Sequence, residues 1–298
     1  MKWKQVVNTT LEGVTGYTIQ RQKLPTRPAA PQPKPMGPPM PARLEGDVAR
    51  PPTDLEADRL LRAPVFILSP PRSGSTLLRS MMNSHSQLHS PIETHFRRIS
   101  TNLNTDPVRQ AVVALGHNQS DVEHLLWDRL LHRELVRSGK PTLVEKTPSN
   151  VFAWKRLSIC WPDARFVFLL RHPLSIARSW HEADPVKRPM HEAVRHTFQY
   201  MKYLEEARHR LPGHEITYER LTADPESELR ALCATLGIPF EDGMLDYGRH
   251  NKPTDFTKGI GDWRDKIQSG RVQPGRELPA PEEVPEMLRD VAQKWGYI

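Results

Sequence analysis

The run Ser69-Pro70-Pro71-Arg72-Ser73-Gly74-Ser75-Thr76-Leu77-Leu78 joins a glycine, a fixed positive charge and several hydroxyls where an apolar stretch gives way to a helical pattern. A helix start leaves backbone N–H groups unpaired and carries the positive end of the macrodipole, so a cluster of anionic oxygens binds there. Gly74 lets the backbone approach closely, Ser73, Ser75 and Thr76 add donors, and Arg72 can grip two oxygens at once. The chemistry that fits is capture of a phosphate or sulfate group. The loop departs from the Walker A pattern in lacking a first glycine at the right spacing and a lysine before the hydroxyl. A triphosphate with Mg²⁺ therefore fits it poorly.

Other basic residues stand at the ends of apolar runs. Arg171 closes the run Arg165–Leu170, and Ser179 follows about two helical turns later. Lys146 follows Thr142–Glu145, and Lys258-Gly259-Ile260-Gly261-Asp262-Trp263-Arg264 is a second glycine-containing basic segment. Glu93 and His95 are titratable groups in the segment Pro91-Ile92-Glu93-Thr94-His95, and Tyr218 offers an aromatic face. No metal is expected. His191 and His196 are five residues apart, which on a helix leaves the rings about 140° apart. His85 and His89 have no third ligand nearby in the sequence.

Strand-length apolar runs and helical stripes must position these groups. Val65–Leu68, Thr142–Glu145, Arg165–Leu170 and Glu215–Tyr218 read as strands alternating with helices. That order predicts an α/β, P-loop-like three-layer fold, a mostly parallel central sheet flanked by helices. Ligands in such sheets bind outside the carboxyl ends of strands, where Arg171 would lie. Two core-facing helical stripes are expected, one through Val122, Leu125, Leu126 and Leu130, the other through Met190, Val194, Phe198, Met201 and Leu204. Ten of the 29 prolines fall between Pro25 and Pro52. Residues 1–62 therefore read as a proline-rich extension, largely disordered or docking on a partner, and residues 63–298 as the catalytic domain.

Charge and composition narrow the function class. The net charge is +7, and residues 1–62 hold ten Lys/Arg against six Asp/Glu, so only +3 belongs to the body. That suits a small-anion pocket better than a nucleic-acid surface. The longest apolar runs are too short to span a bilayer, which takes about 20 residues, and the basic start leads into no long apolar segment. A cytoplasmic protein is expected. Cys160 and Cys233 form no C-x-x-C pair and read as reduced, buried thiols.

The segment Pro71–Thr76 resembles the 5′-phosphosulfate loop of the sulfotransferase superfamily, P-[K/R]-S-G-[S/T]-T, and Arg72 makes it more similar to the bacterial and tyrosylprotein branches. The resemblance extends in order to about Arg264. It implies transfer of a sulfuryl group from 3′-phosphoadenosine 5′-phosphosulfate (PAPS) by in-line displacement. It places Arg72, Ser73, Gly74, Ser75, Thr76 and Leu77 on the 5′ group, Arg171 and Ser179 on the 3′-phosphate, and Tyr218 beside the adenine. Lys258 and Gly259 would close over the 3′-phosphate, although Thr257 stands where many members carry Arg. Lys146 matches the lysine that contacts the bridging oxygen. The histidine two residues on in the cytosolic branch is here Pro148, whereas Pro91–His95 resembles the segment that carries a glutamate base. Glu93 is thus the expected base, with His95 its rival, and Glu93, Lys146 and Arg72 form the expected catalytic set.

The implied acceptor is a small-molecule hydroxyl, such as a natural product, lipid or sugar. Trp127, Trp180 and Tyr200 could line its pocket, although core packing also accounts for each. The cytosolic branch's K-T-V-E dimer motif is absent, so a homodimer stays open. Two other readings remain. A P-loop kinase or NTPase would bind ATP with Mg²⁺ in preference to adenosine 3′,5′-bisphosphate (PAP), and a non-catalytic PAP-binding scaffold would show no turnover.

Overall fold

A computed structural model describes residues 48–249 and 270–298. Its centre is a five-stranded parallel sheet of β1 (Val65–Leu68), β2 (Leu88–His89), β3 (Thr142–Glu145), β4 (Arg165–Leu170) and β5 (Gly213–Thr217), in the order β2-β3-β1-β4-β5. Three of the four expected strands have the expected bounds. The fourth starts two residues early and ends at Thr217, because Tyr218 already begins a helix. Strand β2 was not expected.

The helices are α1 (Leu55–Asp58), α2 (Ser75–Asn83), α3 (Asp106–Ala114), α4 (Gln119–Ser138), α5 (Trp154–Cys160), α6 (Pro173–Ala183), α7 (Met190–Arg210), α8 (Tyr218–Ala223), α9 (Pro225–Leu236) and α10 (Glu286–Lys294). They cover both faces of the sheet. Alternate strand residues feed two cores, as a period of two requires. Phe66, Leu68, Leu143, Phe166, Phe168 and Leu170 pack with Trp127, Leu157, Ile176, Met201 and Leu288. Val65, Ile67, Val144, Val167, Leu169 and Ile216 pack with Leu78, Met82, Leu229 and Leu232. The α/β fold class is as the sequence predicts.

Chain order reverses beside β1, whose neighbours are β3 on one side and β4 on the other. That makes the carboxyl ends of β1, β3 and β4 a topological switch point, the place where an open α/β sheet leaves a crevice. The loop Ser69–Gly74, Lys146 and Arg171 follow those three ends directly.

Two expectations are corrected. Leu126 and Leu130 of α4 are each 42% exposed, and the buried side of the helix carries Glu123, His124, Trp127, Asp128, Leu131 and Leu135. Paired polar groups win that face. Arg156 of α5 donates to Glu123 at 2.5 Å and to His124 at 2.9 Å, while Asp128 accepts from Trp161 Nε1 at 2.9 Å and from the Leu60 N–H at 2.7 Å. The α7 stripe holds in its inner part, with Val194, Met201 and Leu204 buried and Phe198 partly so, while Met190 at the helix start is exposed. The second correction concerns the boundary at residue 62. Residues 1–47 lie outside the described residues, but Leu61 is fully buried in the core and Arg59 donates to the Cys160 carbonyl at 2.6 Å. Arg50 grips Asp121 of α4 at 2.6 Å, so packed structure begins before Ala63.

Candidate active site

The loop after β1 is shaped for close approach. Arg72 and His95 are two of only three non-glycine residues at positive φ among those described, at 66° and 49°. Such conformations cost free energy and collect at functional sites. Gly74 caps α2 at a φ of +86°, and a Cβ there would overlap Cδ2 of the Tyr218 ring. Glycine is thus required twice, by the backbone angle and by the aromatic ring laid on it. Ser75, Thr76 and Leu77 form the first turn of α2 and are buried.

Tyr218, at the start of α8, links the loop to the end of β4. The Arg171 guanidinium stacks 4.2 Å from the Tyr218 ring centroid, and its Nη1 donates to the Arg72 carbonyl at 2.7 Å. Arg72 Nε donates to Ser179 Oγ of α6 at 3.3 Å. Arg72, Gly74, Arg171, Ser179 and Tyr218 are therefore one connected set. Arg171 Nε in that set, and Ser73 Oγ between Arg72 and Gly74 in the chain, are buried without a hydrogen-bond partner among the described residues. Burial also lowers the Arg171 pKa from its ordinary value, against the opposing pull of Tyr218 and Glu219. Buried polar groups normally find partners, so these two orphans are what an anion's oxygens would satisfy.

A second set lies at the end of β3. Lys146 is only 2% exposed, and its Nζ meets Glu93 Oε1 at 2.5 Å. His95 Nε2 lies 3.4 Å from the other Glu93 oxygen. Burial depresses the Lys146 pKa, and the Glu93 charge works against that shift. Burial likewise lowers His95, which favours its neutral form. Nearby groups hold this strand end and the Glu93 segment in place. Arg79 of α2 donates to the Ser90 carbonyl at 2.8 Å, and Ser90 Oγ donates to the Val144 carbonyl at 2.9 Å. Fully buried Glu145 accepts from Thr94 Oγ1 at 2.8 Å, from Thr147 Oγ1 at 2.6 Å and from Asn150. Desolvation raises the Glu145 pKa.

Beyond Glu93 is a wall of mixed character. Tyr200 of α7 packs on Phe152 with centroids 4.5 Å apart and on Trp180 at 5.8 Å. Burial raises its phenol pKa, and Arg97, Glu93, Arg98 and Arg188 all act on it electrostatically. None of these three arginines is ion-paired to a described residue. Arg97 Nε donates to Ser149 Oγ at 3.1 Å, and Arg188 sits 5.4 Å over the Trp180 ring. Trp127 is core, 1% exposed, and lines nothing.

Thus the structure gathers Arg72–Leu77, Arg171, Ser179 and Tyr218 in one place, and Glu93, His95 and Lys146 at an adjacent strand end. Lys258 and Gly259 lie outside the described residues. Sequence reasoning missed Arg79, Glu145 and Asn150. The one available signal was Glu145, a carboxylate closing an otherwise apolar strand.

A sequence profile described as the sulfotransferase family matches residues 64–242. An uncharacterized protein of Aquifex aeolicus (strain VF5) is 26% identical over 214 residues, 64% of this chain and 28% of the relative. Nodulation protein NoeE of Sinorhizobium fredii is 30% identical over 125 residues, 38% of this chain and 30% of NoeE. Protein-tyrosine sulfotransferase 1 of Danio rerio is 24% identical over 211 residues, 61% of this chain and 55% of that protein. The chain thus spans under a third of the first two relatives and about half of the third. Among solved structures, the sulfotransferase domain from the Synechococcus PCC 7002 olefin synthase has a TM-score of 0.56 at 22% identity, over 80% of this chain and 96% of that one. The sulfotransferase domain from the Curacin biosynthetic pathway has the same TM-score at 24% identity, over 80% of this chain and 99% of that one. At such identities the likeness is one of fold. With over half its length inside the family profile, the chain belongs to the sulfotransferase family.

Proposed function

We propose that the protein moves a sulfuryl group from PAPS to the hydroxyl of a small-molecule acceptor by in-line displacement, with no metal. The observation that carries this reading is the pair of buried orphans, Ser73 Oγ in the loop after β1 and Arg171 Nε at the end of β4, beside the Lys146–Glu93 pair. A donor phosphorylated at two ribose positions needs two anion pockets. Arg72 to Leu77 would hold its 5′ group, Arg171 and Ser179 its 3′-phosphate, and Tyr218 would flank the adenine. Lys258 and Gly259 would complete the 3′ pocket.

Bound there, the donor supplies an activated sulfur–oxygen bond whose departing oxygen gains charge. Lys146 would stabilise that charge, and the Glu93 carboxylate opposes the lowering of its pKa by burial. Glu93 is the base that takes the acceptor's proton, with His95 against its second oxygen. Positioning supplies the rest. Arg97, Arg98 and Arg188 favour acceptors that carry a carboxylate or phosphate near the hydroxyl. No helix among the described residues is long and apolar enough to cross a membrane. We assign the enzyme to the cytoplasm, which suits its two buried free cysteines, Cys160 and Cys233, and cell fractionation checks this. The Pro-rich residues 1–47 are assigned to partner docking, checked by truncation.

A screen of hydroxyl compounds with labelled PAPS tests the reading. Label should pass to at least one acceptor, and in matched pairs the anionic member should react faster. Consumption of ATP with Mg²⁺, and no transfer from PAPS to any acceptor, would contradict it.

A further inference from the structure

Glu219 poses a problem for the nucleotide reading. It follows Tyr218 on α8, and its negative charge acts on Arg171, yet no hydrogen bond joins the two side chains. A carboxylate beside a half-satisfied guanidinium normally pairs with it, through two parallel N–H···O bonds where geometry allows. That pairing would consume the donors on which a phosphate depends.

Both Glu219 oxygens are held elsewhere. Oε1 accepts from the His172 backbone N–H at 3.0 Å, and Oε2 accepts from the Tyr297 hydroxyl at 2.6 Å. Tyr297, just beyond α10, also lays its ring against His172, with centroids 5.1 Å apart at 68°. Burial and the Glu219 charge raise the phenol pKa above its ordinary value, so it remains a donor at any working pH. His172 is itself pinned as the cap of α6, its Nδ1 accepting from the Ser175 N–H at 3.4 Å.

We infer that Tyr297 is a positioning residue for nucleotide binding: its hydroxyl locks Glu219 onto the backbone after Arg171 and so keeps the Arg171 guanidinium free for a phosphate. The inference rests on the proposal that this pocket binds PAPS. Removing the hydroxyl frees Oε2, while Oε1 stays on the His172 N–H next to Arg171, and the freed oxygen, whose charge already acts on Arg171, then competes with the phosphate.

The test uses calorimetric titration of the full chain with PAP. Tyr297→Phe keeps the ring on His172 and should weaken PAP binding about tenfold, with a matching rise in KM for PAPS and kcat within about twofold. Adding Glu219→Gln to Tyr297→Phe should restore affinity to within about threefold of the wild type, since a neutral amide does not pair with a guanidinium as a carboxylate does. Unchanged PAP affinity in Tyr297→Phe, or a double variant as weak as the single one, would overturn the inference while wild-type binding leaves the nucleotide reading intact. A wild-type chain that fails to bind PAP would overturn both.

Discussion

Glu93→Gln should lower turnover by a factor on the order of 10³ while leaving PAP affinity within about twofold of the wild type. The substitution keeps the size of the side chain and an oxygen to receive Lys146 Nζ, which meets Glu93 Oε1 at 2.5 Å. What it removes is the capacity to take a proton. Glu93 follows β2 and the loop proposed to hold phosphate follows β1, so the substitution should leave the proposed nucleotide pocket intact. His95→Ala is the control, because the imidazole stands 3.4 Å from Glu93 and burial favours its neutral, proton-accepting form. A Glu93→Gln enzyme of normal rate beside an inactive His95→Ala enzyme would transfer the role of base to His95. Single-turnover rates with labelled PAPS and an acceptor from the screen give the comparison.

Lys146→Met should lower turnover by about 10² to 10³, the usual cost of losing one preorganised charge at a developing anion. It should also destabilise the fold. Lys146 is 2% exposed, and its removal strands a mostly buried Glu93 carboxylate, a break that costs about 3 to 5 kcal/mol in buried pairs. The Lys146→Met/Glu93→Gln double variant should regain most of the lost melting temperature and none of the activity. Stability and catalysis are thereby separated. If Lys146→Met turns over at the wild-type rate, the lysine serves the fold alone.

Much of this arrangement was legible because its parts are local. Strands β1, β3 and β4 are short apolar runs ended by polar residues and buried on both faces, so their limits match the sequence pattern. The loop after β1 stood out for the same reason, since its glycine, hydroxyls and arginine are consecutive. Strand β2 escaped notice because a two-residue edge strand carries no periodic signal. Helix α4 was read with its buried side on nearly the opposite face, about 165° of rotation away, because that side is held by Glu123, His124 and Asp128 in pairs with Arg156, Trp161 and the Leu60–Leu61 backbone. An apolar stripe cannot report a face secured by hydrogen bonds. The contact of Tyr297 with Glu219 spans 78 positions and involves residue types found on any surface, so only the folded chain brings it to view.

The measurement that bears most directly on the account is titration of the intact chain with PAP in the presence of a chelator, followed by calorimetry. The account predicts one nucleotide bound per chain without metal, weakened at least tenfold by Arg72→Ala and by Arg171→Ala in turn. No heat from the wild-type chain, or equal affinity in both arginine variants, would contradict it.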